Sequence, residues 1–494
     1  MTTFSIDTLG CKVNQYESQQ IRELLERLSL KQVLTSEKPD LVVINTCCVT
    51  HTASAKSRQY IRKAQKLSPD STIVVCGCLP TVKIGELHNP DESIHLVRHR
   101  SDLAATLLRI VIRETIAPNS QAQQRHPDST IKSENVSKVK CKNELPFSAT
   151  LKPLSSFKGQ TRAFLKVQDG CDGYCTYCII PQVRPFVHSK SVAAILGEAQ
   201  AFIRDAHKEI VVTGIFLGAY GQNTVRRKNW PNGQNDKLEN LLVKLAEIPG
   251  LARIRLSSLE PADVTPRLLD VFCQHRNIMP HLHLSLQSGS NAILKRMRRQ
   301  YTADEFLEKV ELIKSGLDRP AISTDIIVGF PGETDADFEQ TVKIAKDVGF
   351  AKMHVFAFSP RKGTAAAAMQ NTLDTKVIKE RSKTLRELDA QLQREFRQQF
   401  IGETATVLME NDTDQPHGRA ERYFVVYLKS PAQPVKRNDL VAVRLIENSK
   451  DGVIGEATDS AAVSLSDRKH ERDRELPRAD LSLPPALEFR SPGG

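Results

Sequence analysis

The sequence predicts an α/β protein in three parts: an N-terminal doubly wound parallel sheet, a central partial (β/α)6 barrel and a small antiparallel β-barrel near the C-terminus. Three observations carry this. Strand and helix patterns alternate over the first 110 or so residues, six further strand-like runs alternate with helical patterns from Ala163 to Ser359, and short β patterns alone follow Gly402.

In the first part, Phe4–Leu9 reads as a strand, and Asn14 with Glu17 as a capping box for a helix with Ile21, Leu24, Leu25 and Leu28 at helical spacing. Leu41-Val42-Val43-Ile44 is a continuous apolar strand of the kind buried on both faces. A basic helix from about Ala53 to Leu67 and a strand at Ile73–Val75 complete a βαβαβ start. From about 115 to 158 Pro, Ser, Asn, Gln and Lys rise and apolar periodicity stops; this predicts a linker, with Cys141 in it free of any ligand role.

The six runs of the central part are Phe164–Gln168, Ile210–Thr213, Arg253–Ser257, Leu282–Gln287, Ser323–Val328 and His354–Phe358. Six parallel units make a partial barrel whose strand C-terminal ends face the active site. A charged helix over about Thr375–Phe400 leaves it, and Ala405–Leu408, Tyr423–Tyr427 and Leu440–Val443 give the last β module. The expected division is 1–114, a linker at 115–158, the barrel with its exit helix at 159–400, the β module at 401–459, and a disordered tail at 460–494.

At 494 residues and 40% hydrophobic content the chain has room for packed cores, and its formal charge of +11 is compatible with a polyanionic partner. The first residues show no basic and then apolar leader, and no apolar run approaches a membrane span, so a reducing cytoplasm and no membrane are expected. Ten cysteines in such a chain suit metal ligation better than a disulfide framework.

Cys171-x-x-x-Cys175-x-x-Cys178 is the most specific motif. Three close thiolates can hold three irons of a 4Fe–4S cube and leave one iron open for a small molecule. The alternatives are three unrelated buried thiols or a zinc knuckle, for which the nearest fourth ligand, His188, lies ten residues on. Cys11, Cys47 and Cys78 each follow a predicted strand of the first sheet. Right-handed crossovers bring such loops to one sheet edge, so one thiol on each of three successive loops points to a second three-thiolate cluster. Any one of them alone would read as a buried free cysteine.

Polar residues and glycines at the barrel strand ends form a candidate cofactor pocket: Thr213, Gly214, Ser257, Glu260, Gln287, Ser288, Asp325 and Gly329. Glu333 reads either as part of this patch or as a helix cap. Two basic segments are ambiguous. Lys295–Arg299 fits a helix end as well as a phosphate contact, and Arg226, Arg227 and Lys228 beside Trp230 could receive an unstacked RNA base.

The triad with Tyr177 before its last cysteine resembles the radical S-adenosylmethionine (radical SAM) superfamily. Thr8-Leu9-Gly10-Cys11-Lys12-Val13-Asn14, Asn45-Thr46-Cys47, Gly77-Cys78, Gln287-Ser288-Gly289-Ser290 and Gly329-Phe330-Pro331-Gly332-Glu333-Thr334, in this order, resemble the radical SAM methylthiotransferases from about residue 3 to 458. The resemblance implies two 4Fe–4S clusters, an auxiliary one on Cys11, Cys47 and Cys78 for sulfur insertion and a radical-generating one on Cys171, Cys175 and Cys178. It implies S-adenosyl-L-methionine as cofactor, an electron donor such as flavodoxin or ferredoxin, a sulfur donor, and a C-terminal module similar to the RNA-binding TRAM domain.

The segments Cys11–Ser18 and Leu294–Tyr301 most resemble the branch acting on N6-threonylcarbamoyladenosine in tRNA, which implies methylthiolation at C2 of that base beside the anticodon. The alternatives are N6-isopentenyladenosine in tRNA, a ribosomal-protein aspartate, or a non-catalytic iron–sulfur RNA-binding protein or electron carrier. The chain departs from the family pattern at Arg184-Pro185, where Gly is usual after Arg, and around Gly418–Arg422.

Overall fold

The structure is a computed structural model that describes residues 1–82, 94–116, 151–230, 237–429 and 434–458. Cys141, most of the expected linker and the expected tail lie outside the described residues.

The first unit is a five-stranded, wholly parallel sheet. Its strands are β1 (Thr3–Thr8), β2 (Lys31–Gln32), β3 (Leu41–Thr46), β4 (Thr72–Gly77) and β5 (Ile94–Leu96), in the order β2-β1-β3-β4-β5. All six residues of β3 are buried, as a strand covered on both faces requires. Helices α1 (Lys12–Arg27) and α3 (Leu103–Ile116) cover one face, where Ile21, Leu25 and Leu107 pack on Phe4, Leu41 and Val43. Helix α2 (His51–Leu67) covers the other, with Ile61 and Ala64 against Val42, Ile44 and Val75. The chain enters α2 through Thr50, whose side chain accepts a bond from Ala53 N.

Asn14 does not cap α1: the N-cap is Cys11, without a side-chain cap bond, and Asn14 is buried one turn in. Residues 151–158, at the end of the apolar-poor stretch, are packed, with Leu154 and Phe157 buried and Phe157 edge-on to Phe164 and Phe202. Leu151, Leu154 and Phe157 stand three apart in a stretch too short, and too broken by Pro153 and two serines, to read as an element.

The central unit begins with β6 (Arg162–Lys166), then a short antiparallel pair, β7 (Gln168–Asp169) and β8 (His188–Ser189), enclosing the triad loop and α4 (Ile180–Val183). Parallel strands follow: β9 (Glu209–Thr213), β10 (Arg253–Leu256), β11 (Ser258–Leu259), β12 (His281–Leu284), β13 (Ala321–Val328) and β14 (Lys352–Ala357). They pair as β6-β9-β10 and β11-β12-β13-β14, with an Ile254–Ile278 bridge across the break at Ser257. Helices α5 (Val192–Arg204), α6 (Lys237–Ala246), α7 (Pro266–Gln274), α8 (Asn291–Met297), α9 (Ala303–Gly316), α10 (Asp335–Val348) and α11 (Thr375–Gln398) lie between and after these strands. Capping boxes at Thr302–Glu305 and Thr334–Asp337 start α9 and α10. Glu333 caps neither; it pairs with Arg381 and accepts from Gly329 N.

The last unit is a closed five-stranded barrel of β15 (Thr404–Met409), β16 (His417–Arg419), β17 (Val425–Leu428), β18 (Leu440–Asn448) and β19 (Val453–Ala457). It is fastened to the central unit by Arg253, which donates to the carbonyls of Arg419 (3.0 Å) and Thr406, and by Arg255, which donates to those of Glu421 (2.7 Å) and Ala420 (2.8 Å). The segment Gly418–Arg422 is this docking seam. No described helix is long and apolar enough to cross a membrane.

Candidate functional site

One hydrogen-bond knot brings the first three cysteines together. Asn14 Nδ2 donates to the carbonyls of Leu9 (2.8 Å) and Thr46 (2.9 Å), drawing the loop that carries Cys11 to the end of β3, where Cys47 sits. Cys78 N donates to that same Thr46 carbonyl (2.9 Å), and Ser57 Oγ bonds both N and O of Cys47. Cys47 and Cys78 are buried, whereas Cys11 is exposed. Arg100 Nη2 stands 3.6 Å from Cys78 Sγ, and Cys48 Sγ is turned to the Cys78 carbonyl. A hydrogen bond from Cys48 does most to lower the Cys78 thiol, to about 5, and Arg184 and Arg100 add to it.

The second set sits on the loop between β7 and α4. Gly170, at φ +82°, precedes it; a Cβ there would lie 1.8 Å from the Phe186 carbonyl oxygen, so the turn needs glycine. Cys171 N donates to Arg184 O (2.8 Å), and Thr176 is held by Met297 O and Arg296 O. Asp172 accepts from Thr224 Oγ1 and Val225 N. Arg299 donates to Cys175 Sγ (3.1 Å) and Tyr177 Oη (3.3 Å) and pairs with Glu260. Burial pushes the half-buried Cys171 and Cys178 thiols up to about 12, so a metal must displace their protons to bind.

A buried ion network joins the two sets. Arg184 contacts Glu17, Asp169 and Asn14 Oδ1, while Lys166 pairs with Glu17 and Asp169, and Arg100 with Glu17. Three cations meet two carboxylates, leaving one positive charge in excess beside the first cysteine set. An anionic thiolate cluster is favoured there.

Two cavities open on these sets. The smaller, about 160 Å³, is lined by Cys171, Cys175, Cys178, Glu260, Gln287 and Arg299 among others. The larger, about 750 Å³, lies between the three units and is lined by Cys11, Ser257, Asp325 and many basic side chains. Ser258 lines both. On the wall of the larger cavity, His283, Asp325 and His354 bring ligand atoms within 4.8 Å of one another, a set able to hold a metal ion or to hydrogen-bond a polar ligand.

Of the eight residues expected in a cofactor pocket, Glu260 and Gln287 therefore reach the triad's cavity, and Ser257 and Asp325 the larger one. Buried Ser257 Oγ has no hydrogen-bond partner, as a polar atom awaiting a ligand would, whereas Glu260 is paired with Arg299 and stands 3.6 Å from Arg227. Thr213, Gly214, Ser288 and Gly329 line neither cavity. Gly214 packs on Gln168, Ser288 Oγ accepts from Ser290 N ahead of α8, and Gly329 N donates to Glu333.

The basic–aromatic loop also works inward. Arg226 donates to the Asp172 carbonyl and stacks on Tyr174, Arg227 pairs with Asp263, and buried Trp230 donates to Thr224 O. It braces the triad loop. Arg184, Glu17, Asp169 and Arg299 were absent from the sequence-derived set. Arg299 carries a signal inside Lys295–Arg299, Glu17 in its spacing from Asn14 and Arg184 in the departure at Arg184-Pro185, but none of these points to the network.

A parallel barrel with a three-thiolate loop before its first helix defines a radical SAM protein, and the match of residues 165–345 to the Radical SAM superfamily agrees. Residues 3–98 match the Uncharacterized protein family UPF0004. The chain is 36% identical over 455 residues to the threonylcarbamoyladenosine tRNA methylthiotransferase MtaB of Chlamydia pneumoniae, covering 92% of this chain and 98% of that one. It is 33% identical to the MtaB of Bacillus subtilis (90% and 94% covered). It is also 33% identical to the tRNA-2-methylthio-N(6)-dimethylallyladenosine synthase of Zymomonas mobilis (92% and 97%). Among solved structures, the radical SAM methyltransferase TsrM of Kitasatospora setae aligns with a TM-score of 0.49 at 13% identity over 74% of each chain. The chain belongs to the radical SAM methylthiotransferases, in their MtaB branch. It is an enzyme that uses S-adenosyl-L-methionine and 4Fe–4S clusters. Six free thiols in two sets of three, the excess cation and the unpartnered Ser257 hydroxyl fit these groups.

Proposed function

We propose that this enzyme methylthiolates C2 of N6-threonylcarbamoyladenosine beside the anticodon of tRNA. The observation that carries the reading is that the second cysteine set and Cys11 of the first open on adjoining cavities with Ser258 common to both. Chemistry begun at one set can then act on a base held against the other. Cys171, Cys175 and Cys178 would hold one cluster and Cys11, Cys47 and Cys78 the other, and together with S-adenosyl-L-methionine they supply a carbon-centred radical, sulfur and a methyl group. Within the chain, Glu260 and Gln287 bind the cofactor's polar parts in the small cavity. Arg299 orients Cys175, and Asn14 and Thr46 hold Cys11 and Cys47 in register.

The larger cavity, with seven lysines and arginines in its lining, suits a nucleotide of a polyanion. The small C-terminal barrel forms one wall of that cavity, so it contributes to RNA binding from there. An electron donor such as flavodoxin or ferredoxin and a sulfur donor complete the reaction, and a reducing cytoplasm suits both the thiolates and a tRNA substrate.

The test is anaerobic reconstitution with dithionite, S-adenosylmethionine and undermodified tRNA, read by nucleoside mass spectrometry. The expected product is the 2-methylthio derivative of threonylcarbamoyladenosine; absence of both deoxyadenosine and any methylthio nucleoside rejects the proposal. Cys175→Ala should abolish deoxyadenosine formation, whereas Cys47→Ala should spare cofactor cleavage and stop sulfur insertion. One observation favours a second reading, N6-isopentenyladenosine: the Zymomonas relative is as similar as the Bacillus one. Methylthiolation of that nucleoside alone moves the assignment there.

A further inference from the structure

Seven cations line the larger cavity, and six are held by protein acceptors. Arg162 and Arg419 pair with Glu410, Arg255 with Glu209, Lys352 with Asp389 and Arg422 with Asp318, while Arg397 donates to Asn448 Oδ1 and Ser449 O. Lys12, directly after Cys11 in the first turn of α1, has no hydrogen-bond or ion-pair acceptor among the described residues. Its charge is felt across the cavity by His281, Asp325 and Tyr423.

A second group in this cavity is also unsatisfied. His281 is 8% exposed, and its Nδ1 is buried without a partner. Its ring is fixed by stacking on Tyr423 (4.6 Å between centroids) and by Ser323 Oγ at 3.3 Å from Nε2. Burial, and then Arg255, lowers its pKa, so the ring is neutral and Nδ1 can accept or donate. An orphaned buried nitrogen and an unpaired ammonium lining one cavity call for a ligand with both an anionic and a neutral polar end. Asp325 does not neutralise this corner, because its carboxylate is turned to His283 at 3.4 Å.

We propose that Lys12 and His281 form a subsite for a carboxylate-bearing substituent on the substrate base, Lys12 binding the carboxylate and His281 Nδ1 the neutral amide linkage. The inference rests on the proposed function and deepens it: threonylcarbamoyl has both ends, whereas an isopentenyl group has neither and would leave both side chains unpaired. A site with buried polar groups rejects a ligand that cannot pair them far more strongly than an apolar site rejects an added methylene.

The test is equilibrium binding of three anticodon stem-loops to the two-cluster holoenzyme. They carry threonylcarbamoyladenosine, its carboxyl methyl ester, or isopentenyladenosine. The wild type should bind the free acid about 10- to 100-fold more tightly than the ester, the range of one charge-assisted hydrogen bond. Lys12→Met should bind acid and ester alike, and Lys12→Arg should keep the preference. Iron content near eight per chain in each variant shows that Cys11 still holds its cluster. Equal wild-type affinity for acid and ester, or an undiminished preference in Lys12→Met, overturns the subsite. If the wild type methylthiolates only the isopentenyl RNA, the proposed function fails; if it methylthiolates the threonylcarbamoyl RNA while Lys12→Met still discriminates, the subsite alone fails.

Discussion

Arg184 grips Glu17 with both ends of its guanidinium, Nη1 to Oε1 at 2.8 Å and Nη2 to Oε2 at 2.9 Å, across the boundary between the first sheet unit and the barrel. The same side chain holds Asp169 just before the triad, and its backbone carbonyl accepts from Cys171 N. One residue thus ties the helix that begins at Cys11 to the loop that carries the other cysteine set. Proline at 185, where the family usually has glycine, follows this anchor and leaves it intact.

Arg184→Met should therefore cost about 3–5 kcal/mol, because the buried oxygens of Glu17, Asp169 and Asn14 would lose the guanidinium hydrogen bonds that satisfy them. Urea denaturation monitored by fluorescence checks this. Arg184→Lys should recover only part, since an ammonium cannot span both carboxylate oxygens.

Acid should dissolve the same clamp. Burial alone would raise the Glu17 pKa, but Arg184, Lys166 and Arg100 bring it down to about 2, below its ordinary 4.5. A depressed carboxylate stabilises the fold above its unfolded pKa, and the gain is lost as pH falls through the folded value. The stability difference between wild type and Glu17→Gln should therefore be flat from pH 8 to about 5 and shrink between about 4.5 and 2. Denaturation curves at successive pH values measure it; a difference that grows on acidification contradicts the assignment.

Gly10 controls the first set through both its backbone conformation and the space beside it. It sits at φ +104°, and a Cβ there would lie 2.8 Å from Cys47 Cβ and 3.1 Å from its Sγ. Gly10→Ala should displace Cys47 and reduce reconstituted iron from about eight to about four per chain, while deoxyadenosine formation persists. Iron and sulfide analysis with a cleavage assay reads both.

Arg299 bears on the second set. Its bond to Cys175 Sγ places a cation against a sulfur proposed to hold the cluster, where it would favour the reduced, more negative state. Arg299→Gln should shift the midpoint potential negative by on the order of 60 mV, the one-electron equivalent of a charge-assisted hydrogen bond. A titration followed by electron paramagnetic resonance measures the shift.

Much of this architecture was legible because periodicity is local. The apolar run Leu41–Ile44 and the alternation of strands with helices are properties of neighbouring residues, and so is Cys171-x-x-x-Cys175-x-x-Cys178. Cys11, Cys47 and Cys78 were legible for a topological reason, since parallel strands with right-handed crossovers bring their following loops to one edge. The misread residues are polar ones whose partners are distant in sequence. Asn14 looked like a cap because its spacing to Glu17 is three, yet one binds Thr46 and the other Arg184, 167 residues away. Arg226, Arg227 and Trp230 looked like an RNA platform because composition says nothing of Asp172 and Asp263. The two short strands β16 and β19 escaped notice, each carrying glycine within it.

Arg253 and Arg255 spend their guanidinium donors on four main-chain oxygens of the C-terminal barrel, groups that side-chain variation cannot remove. That module is consequently a fixed jamb beside the entrance and not a swinging arm. On the proposed function, a polynucleotide would have to present its base to an aperture of set width, so that the shape of the incoming loop, as well as its sequence, would decide which molecules enter.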